Sequence, residues 1–490
     1  MSDTASSLRI GKAAFVLAFC ILAALMIFSG VLTKTVPAGS FEREIVDGRE
    51  FVVPGSFRLT PEQQAPPVWR WFTAPVEVLF APGSIVAITI IVFLIFVGGS
   101  LTILEQSGVL EAALNRLVAG FYERRYLLMA IIVFFFMAVA SVLGIYEAMV
   151  PLIVFIVPLS LKLGWDSLTG LGMSLLPLAF GFSAAVSNPF TIGVAQRIAE
   201  LPLFSGAWLR IPFFFVTYLI VVLFVIRYAR RIENAPATSK VYSMDEERRR
   251  ILAAEAAIAP VLPQDGRMPP ELKSAATWFG ANIALAFVFI FLTARNPVLS
   301  DLAFPLMALL FFIGGLGAGR LAGRSWKAVA LSFGRGALGM APAVLLILMS
   351  LSVRHIVDRG GITDTILNSA AELIAGSTAF AAAFFVYLVT LGMNFFIGSA
   401  SAKAFLMMPV LSPLADLVGI TRQTAVLAFG FGDGFSNMLY PSNALLLIGL
   451  GFTVVSYPRW LGWTIGLQML MFAVSMVFLW IAVQVGFGPF

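Results

Sequence analysis

A chain of 490 residues with 60% hydrophobic and 12% charged residues does not have the composition of a soluble domain, in which about 25% of residues are charged. The mean hydropathy is +0.95, and a net charge of +6 is explained by the Lys and Arg of cytoplasmic membrane loops without any nucleic-acid partner. One cysteine, Cys20, and one histidine, His355, exclude a disulfide framework and a Cys/His metal cage, so no metal or cofactor is predicted.

Apolar runs that are long enough to cross a hydrocarbon core of about 30 Å recur along the chain. The first run lies in segment 1–34 and has no signal-peptide cleavage site, so it is predicted to be a span. Nine spans are predicted, at 13–33, 84–104, 167–200, 208–228, 276–294, 297–318, 329–357, 419–452 and 461–485. They predict an all-α polytopic membrane protein.

Two polar segments interrupt the apolar pattern. Segment 35–80 alternates around Val46-Asp47-Gly48-Arg49, which is typical of a type I′ hairpin turn and predicts a small β-structured loop outside the membrane. Segment 229–275 is predicted to be a solvated cytoplasmic linker. Within it, Ser243-Met244-Asp245-Glu246 forms a capping-box pattern for a helix that ends near Ala259.

Four further apolar segments are short, and they form two pairs, at 126–161 and 378–416. Each pair surrounds a small polar tip, which runs from Gly144 to Glu147 in the first pair and from Ile397 to Lys403 in the second. Two short segments around such a tip predict a re-entrant hairpin. Two ordinary helical hairpins remain the alternative, and they would leave the topology of the rest unchanged.

The distribution of positive charge predicts the orientation. With a cytoplasmic N-terminus, 20 of the 32 Lys and Arg residues fall on cytoplasmic segments. The positive-inside rule therefore favours a cytoplasmic N-terminus and an external C-terminus. Loop 35–80 is then outside and linker 229–275 inside.

The two halves of the chain match at an offset of 253–255 residues. The matching pairs are Gly108 with Gly361, Leu114 with Leu367, Asn115 with Asn368, Pro158 with Pro413, Leu159 with Leu414, Gly164 with Gly419, and Ser187-Asn188 with Ser442-Asn443. The span at 276–294 has no counterpart, so it inverts repeat 2 (297–490) relative to repeat 1 (81–228). Inverted repeats that place a binding site at the midplane are a transporter architecture.

Two spans, 167–200 and 419–452, are 34 residues each, or about 51 Å if they are fully helical. Each contains helix-breaking residues: Ser187-Asn188-Pro189 in the first, and Gly432-Asp433-Gly434 through Tyr440-Pro441-Ser442-Asn443 in the second. Simple proline kinks are the alternative. A broken helix frees backbone N–H and C=O groups that can hold a ligand, because unwound backbone at membrane depth must line a cavity or be buried in protein.

The candidate substrate- and ion-binding residues follow from the breaks and the tips. Intramembrane ionisable residues are costly and are functional candidates. Lys403 could pair with Glu147, with Asp433 or with an anionic substrate, whereas snorkelling to the surface is the alternative for Lys403 and helix capping for Asp433. The predicted set is Ser187, Asn188, Ser442, Asn443, Ser399, Ser401, Glu147, Lys403 and Asp433.

Several stretches resemble the YfcC family, which is related to the DcuC C4-dicarboxylate carriers and to AbgT within the ion transporter superfamily. They are Val36 to Phe41, Leu143 to Glu147, Met408-Pro409 through Gly419, Thr421 to Gln423, and Phe431 to Ser436 with Tyr440-Pro441. The resemblance implies an elevator-type carrier that forms a homodimer. The chain departs from the family pattern at Lys403, where Gln is expected, and at Ala148, where a second acidic residue is expected. Both changes make the pocket more positive and put a cationic substrate and sodium coupling in doubt.

The sequence thus predicts an ion-coupled secondary active transporter of a small carboxylate-bearing solute, such as a C4-dicarboxylate or an amino acid, in a bacterial inner membrane. A basic amino acid antiporter and an ion channel are the alternatives. An enzyme is not expected, because no histidine lies in a tip or break. The partners are the solute and the bilayer, and the coupling ion is H⁺ or Na⁺. Burial and a nearby carboxylate shift the pKa of Lys403 in opposite directions, so Lys403 could take up and release a proton, which favours H⁺ as the coupling ion.

Overall fold

The computed structural model describes residues 12–46, 49–61, 65–81, 84–246, 250, 268–293 and 302–488. The helices of the first half are α1 (Lys12–Thr35), α2 (Trp69–Glu77), α3 (Ser84–Gln106), α4 (Val109–Phe121), α5 (Arg125–Leu143), α6 (Ile153–Lys162), α7 (Ser167–Met173), α8 (Leu175–Ser183), α9 (Val194–Ile198) and α10 (Ala207–Asn234). Those of the second half are α11 (Pro270–Thr293), α12 (Ala303–Leu321), α13 (Trp326–Gly339), α14 (Ala341–Gly360), α15 (Thr363–Ala375), α16 (Ala379–Met393), α17 (Ala400–Val418), α18 (Arg422–Phe435), α19 (Ala444–Gly451) and α20 (Tyr457–Gln484).

Eight helical stretches of the described chain are long and apolar enough to cross a membrane. They are Phe15–Thr35, Ala87–Gln106, Val109–Leu143, Ala207–Asn234, Pro270–Phe289, Trp326–Gly360, Ala400–Val418 and Tyr457–Gln484. The predicted class, an all-α polytopic membrane protein, is confirmed. The predicted span at 329–357 consists of two helices, α13 and α14. Met340 lies between them and is both the C-cap of α13 and the N-cap of α14.

The strands lie in the loop after α1, as the sequence predicts. β1 (Gly39–Ser40) pairs with β4 (Arg58–Leu59), and β2 (Arg43–Val46) pairs with β3 (Arg49–Val52), both antiparallel. Val46 faces Arg49 across the β2–β3 ladder, so two residues, Asp47 and Gly48, connect the strands as the hairpin pattern requires. These two residues themselves lie outside the described part of the chain.

The β-structured loop docks onto the start of α15 in the other half of the chain. The Asp364 carboxylate accepts a hydrogen bond from Phe41 N at 3.0 Å and pairs with Arg43 at 2.9 Å. Thr365 Oγ1 donates to Pro37 O at 2.8 Å. These contacts place loop 35–80 and the start of α15 on the same face of the membrane.

We predict that this face is extracytoplasmic, because the Lys and Arg bias places loop 35–80 outside. In a Cys20→Ser background, a cysteine at Ile45, which is 72% exposed on β2, should react with an impermeant maleimide on intact spheroplasts. A cysteine at the exposed Ala237, which follows α10, should react only after the membrane is permeabilised. The reverse labelling pattern would overturn the predicted orientation.

Two helices, α4 and α15, were not predicted, and they occupy equivalent positions in the two halves. Each is 13 residues long and follows a glycine with positive φ, Gly108 at 78° and Gly361 at 65°. Another matched pair, Gly164 and Gly419, also has positive φ, at 91° and 75°. The pairs that match in sequence therefore share local geometry, which supports the proposed duplication. The inverted relation and the re-entrant course of the hairpins stay predictions.

The helix in the linker after α10 begins earlier than the sequence predicts. Tyr242 is already helical, so Ser243 is not the N-cap, and the carboxylate of Asp245 instead accepts hydrogen bonds from Ser167 N at 2.8 Å and Ser167 Oγ at 2.5 Å. The linker is thereby attached to the start of the first broken helix. The predicted helix end at Ala259 lies outside the described residues.

The core of the molecule surrounds the two broken helices. Every residue of α7, α8 and Gln423–Phe435 in α18 is buried. Helices that are apolar all round belong in the interior of a bundle. Polar groups in these helices are therefore withdrawn from lipid, which makes the helices a suitable place for a site.

Candidate functional site

The first broken helix is interrupted where the sequence predicts. After α8, residues 184–188 leave the helical conformation, and the chain continues as a π-helix at Pro189–Gly193 and then α9. Pro189 lacks a backbone N–H and disfavours helix at Asn188, which explains the position of the break. A further interruption, at Ser174 between α7 and α8, was not predicted.

The second broken helix is interrupted later than predicted. α18 continues through Gly432, Asp433 and Gly434 to Phe435, a 3-10 turn follows at Ser436–Met438, and residues 439–443 form the break. The prediction that Gly432-Asp433-Gly434 breaks the helix is wrong. These glycines allow close packing instead: a Cβ on Gly432 would lie 2.5 Å from Tyr387 O.

The two breaks have the same cap. Asn188 Oδ1 accepts hydrogen bonds from Phe190 N at 2.8 Å and Thr191 N at 3.2 Å. Asn443 Oδ1, 255 positions further along the chain, accepts from Leu445 N at 2.9 Å and Leu446 N at 3.3 Å. An N-cap oxygen satisfies backbone donors that the helix leaves free, and here no lipid group could replace it. The oxygens of both asparagines thus accept from backbone, whereas Asn188 Nδ2 donates to Ala140 O at 3.5 Å and Asn443 Nδ2 to Asn437 Oδ1 at 2.9 Å.

The two broken helices cross in close contact. A Cβ on Gly434 of α18 would lie 2.2 Å from the backbone N of Ser183, the last residue of α8. The rings of Phe180 and Phe435 pack beside this crossing, with their centroids 5.3 Å apart. The crossing places Gly434, which follows Asp433 in α18, against Ser183, the last helical residue before the first break.

An ion pair is buried beside the second broken helix. Lys403 lies in the first turn of α17 and not in the tip, because α17 begins at Ala400 with Ser399 as its N-cap. Lys403 Nζ contacts Asp433 Oδ1, and the two side chains are 0% and 1% exposed. Lys403 therefore does not snorkel to the surface. Removing two charges from water is costly, so a buried pair of this kind is a candidate for function.

Two asparagines that the sequence analysis missed complete the surroundings of the pair. Asn394 Oδ1 accepts a hydrogen bond from Lys403 Nζ, and Asn394 Nδ2 donates to Ser436 Oγ at 2.6 Å and to Asn437 Oδ1 at 3.0 Å. Asn437 Oδ1 also accepts from Asn443 Nδ2 at 2.9 Å. Asn394 directly follows the apolar helix α16. The residues around it form no local pattern that indicates a site.

The serines of the predicted site have different surroundings. Ser401 Oγ donates to Phe190 O at 2.9 Å and so joins the first turn of α17 to the π-helix that follows the first break. Ser187 Oγ donates to Val142 O at 3.3 Å, and the exposed Ser399 accepts from Ala402 N at 3.4 Å. Ser442 accepts from Ser350 Oγ at 2.6 Å through its carbonyl oxygen.

Several buried polar atoms near the breaks have no hydrogen-bond partner in the described part of the chain. They are Ser183 Oγ, Thr191 Oγ1, Ser442 Oγ and Asp433 Oδ2. Buried polar groups in proteins are normally paired. Unpaired buried atoms of this kind make the region of the breaks a candidate binding site.

Glu147 is the one predicted site residue whose side chain lies outside the described part of the chain. Its backbone begins the 3-10 segment Glu147–Leu152, which follows the first tip. Gly144 of this tip contacts the cap of the first break, because a Cβ on Gly144 would lie 2.1 Å from Asn188 Oδ1. The pairing of Glu147 with Lys403 stays a prediction.

A second buried cation, Arg210 in α10, was missed by the sequence analysis. Its side chain donates to Val186 O in the first break at 3.1 and 3.2 Å and to Phe204 O at 3.0 Å, and the residue is 2% exposed. Among the described residues, no carboxylate forms an ion pair with it. The Lys403–Asp433 pair is neutral, so Arg210 leaves the described surroundings of the breaks with one excess positive charge.

A family model described as the C4-dicarboxylate anaerobic carrier DcuC matches residues 15–484. Among curated proteins, YfcC of Escherichia coli strain K12, provisionally named a basic amino acid antiporter, is 31% identical over 484 residues, which cover 92% of this chain and 93% of YfcC.

Two solved structures are loosely similar to this chain. The YdaH transporter of Alcanivorax borkumensis, described as having an unusual topology, has a TM-score of 0.41 at 18% identity and covers 97% of this chain and 99% of its own. MtrF of Neisseria gonorrhoeae, described with a class of antimetabolite efflux pumps, has a TM-score of 0.41 at 18% identity and covers 96% of this chain and 95% of its own.

Proposed function

This chain belongs to the DcuC family, the C4-dicarboxylate anaerobic carriers, and we propose that it is a proton-coupled secondary active transporter of a small carboxylate-bearing solute. Membership makes it a membrane transporter and not an enzyme. The buried pair of Lys403 and Asp433 beside two broken helices carries the proposal. In this proposal the protein is an elevator-type homodimer in the inner membrane, and it binds its solute between the breaks.

The charge around the breaks supports a solute with a carboxylate. Arg210 reaches the first break and has no acidic partner among the described residues, and a charge at membrane depth is costly unless it is compensated. A carboxylate that enters between the breaks supplies the missing negative charge. A C4-dicarboxylate or an amino acid meets this requirement. A basic amino acid, as named for YfcC, adds positive charge and is the second candidate.

The surroundings of Asp433 support a proton as the coupling ion. The Lys403 ammonium already occupies the position beside Asp433 Oδ1 and Asn394 Oδ1 that a coupling cation would take. A C4-dicarboxylate brings a second negative charge besides the one that compensates Arg210, and one proton that enters with it balances this second charge, so that the buried charge stays constant. Constant charge avoids the cost of moving a net charge through the low-dielectric interior.

We expect proteoliposomes to accumulate succinate or aspartate only under a pH gradient, and choline should replace sodium without loss of uptake. Lys403→Gln, which removes the fixed ammonium, should abolish the response to the pH gradient or create a sodium requirement. Both are measured as initial rates of labelled-solute uptake. Arginine is the comparison solute, and preferential arginine uptake would support the second candidate.

Two results would contradict the proposal. Strong sodium dependence that Lys403→Gln leaves unchanged would remove Lys403 from the coupling step. Uptake that does not saturate with solute concentration and does not follow any ion gradient would favour the ion channel.

A further inference from the structure

Asn394 connects the buried ion pair to the second break through hydrogen bonds. It caps the C-terminus of α16, is 4% exposed, and lies between Lys403 of α17 and the end of α18. Lys403 only donates hydrogen bonds, so Asn394 Oδ1 must face it, and Asn394 Nδ2 must then face the acceptors on the other side. Those acceptors are Ser436 Oγ at 2.6 Å, Asn437 Oδ1 at 3.0 Å and Asp433 O at 3.2 Å.

From Asn394 the chain of hydrogen bonds continues to the backbone of the break. Asn437 Oδ1 accepts from Asn394 and also from Asn443 Nδ2, at 2.9 Å. Asn443 Oδ1 in turn accepts from Leu445 N and Leu446 N, two backbone donors in the first turn of α19. Every link has a fixed direction of donation, and the ammonium of Lys403 sets the direction of the first link.

We propose that Asn394 is a positioning residue that transmits the charge state of the Lys403–Asp433 pair to the second break; this inference rests on the proposed function. If the ammonium moves away from Asn394 Oδ1, the amide of Asn394 loses the donor that fixes its orientation and can rotate, with loss of its 3.2 Å hydrogen bond to Asp433 O. Rotation turns its oxygen toward Asn437 Oδ1, which is another acceptor. Asn437 must then rotate as well, and Asn443 loses the partner of its Nδ2. The cap of α19, which lies in the binding region, thereby responds to the ion pair.

The other charges near this chain of hydrogen bonds do not replace Lys403 as its first donor. Arg354 of α14 is a further charged group that faces Lys403. The packed elements also carry the phenols of Tyr387 on α16 and Tyr440 in the break, and Asp416 of α17 and Arg422 of α18, which pair with each other at 2.8 Å. Neither phenol donates to Asn394, whose partners are given above. A network of buried hydrogen bonds responds as a unit when one member changes, so the first link decides the state of the rest.

The test compares coupled with uncoupled transport in proteoliposomes that carry Asn394→Leu. The probe is whichever of succinate, aspartate and arginine the unmodified protein takes up fastest. Counterflow exchange of labelled solute without a gradient measures binding and movement. A pH-sensitive dye inside the vesicles measures protons that enter per solute. We expect Asn394→Leu to lose far more of the proton movement and gradient-driven accumulation than of counterflow, and Asn394→Gln to restore part of the proton movement and accumulation.

A second variant and a matched control keep the outcome decisive. Asn437→Leu breaks the same chain one link further and should give the same loss of coupling if Asn394→Leu fails to insert. Asn282→Leu should keep the normal proton-to-solute ratio, because Asn282 is also a buried asparagine but, among the described residues, donates only to Trp278 O of its own helix, at 2.9 Å.

An unchanged proton-to-solute ratio in both Asn394→Leu and Asn437→Leu overturns the inference, and so does equal loss of counterflow and coupling, which a merely structural role predicts. If the unmodified protein moves solute without protons, the proposed coupling fails instead.

Discussion

Lys403→Met and Asp433→Asn should each destabilise the protein by about 3–5 kcal/mol, because each leaves the other member of a buried ion pair without its partner. The two side chains are 0% and 1% exposed, so neither remaining charge can be hydrated in place. The double variant Lys403→Met/Asp433→Asn should recover most of this loss, since it removes both charges together. Unfolding by sodium dodecyl sulfate in mixed micelles, followed by tryptophan fluorescence, measures all three.

Recovery of stability in the double variant should not bring back gradient-driven uptake, and this separation distinguishes a functional pair from a structural one. An exposed pair gives the control: Arg250 and Glu246 lie 2.8 Å apart with side chains 71% and 45% exposed. Arg250→Gln should change stability by about 0.5 kcal/mol or less, as is usual for exposed i,i+4 pairs. Single variants as stable as the unmodified protein would show that the pair is not buried together.

Asn188→Ala and Asn443→Ala should each abolish transport, although expression and membrane insertion stay near normal. Each removes an N-cap oxygen from two backbone donors, which costs about 1–2 kcal/mol and leaves the donors without water to replace it. A loss of this size changes the local shape of the break without unfolding the bundle. Uptake rates and the yield of monodisperse protein after purification measure the two effects separately.

Serine at the same positions separates the two roles of these asparagines. Serine is also a good N-cap, so Asn188→Ser and Asn443→Ser should restore the helix start. If transport returns with serine, the asparagines act through the backbone; if it does not, their amide groups contact the solute or serve the hydrogen-bond chain. Asn282→Ala is the control and should transport normally. Wild-type rates in either alanine variant would show that the corresponding half of the site is wrongly placed.

Apolar length predicts the membrane class and most spans from the sequence, because the need to satisfy backbone groups in lipid leaves few alternatives. The break before Pro189 is also predictable, since proline acts on its own helix. α4 and α15 were missed because each is only 13 residues long and is interrupted by polar or charged residues, so neither has the length of a span. Their common geometry becomes visible only when the positive φ of Gly108 and Gly361 is known.

The second break was placed too early because the effect of a glycine depends on its neighbours. Taken alone, Gly432 and Gly434 are residues that favour a helix break. In the structure both remain helical, and each packs against the backbone of another helix. The choice of Asp433 as the partner of Lys403 likewise depends on how α17 packs on α18. Asn394, Asn437 and Arg210 gave no local pattern at all, because each acts through residues that are distant in sequence.

The contact of Gly434 with Ser183 also limits how the protein can change shape. At this crossing the backbones of α8 and α18 touch without side chains between them, so a hinge that opens along this seam would expose bare peptide groups to lipid or create a void. If the protein is the elevator-type carrier proposed above, we expect the two breaks to move together as one rigid unit around a shared binding space. In that proposal, access to the space alternates where this unit meets the surrounding helices.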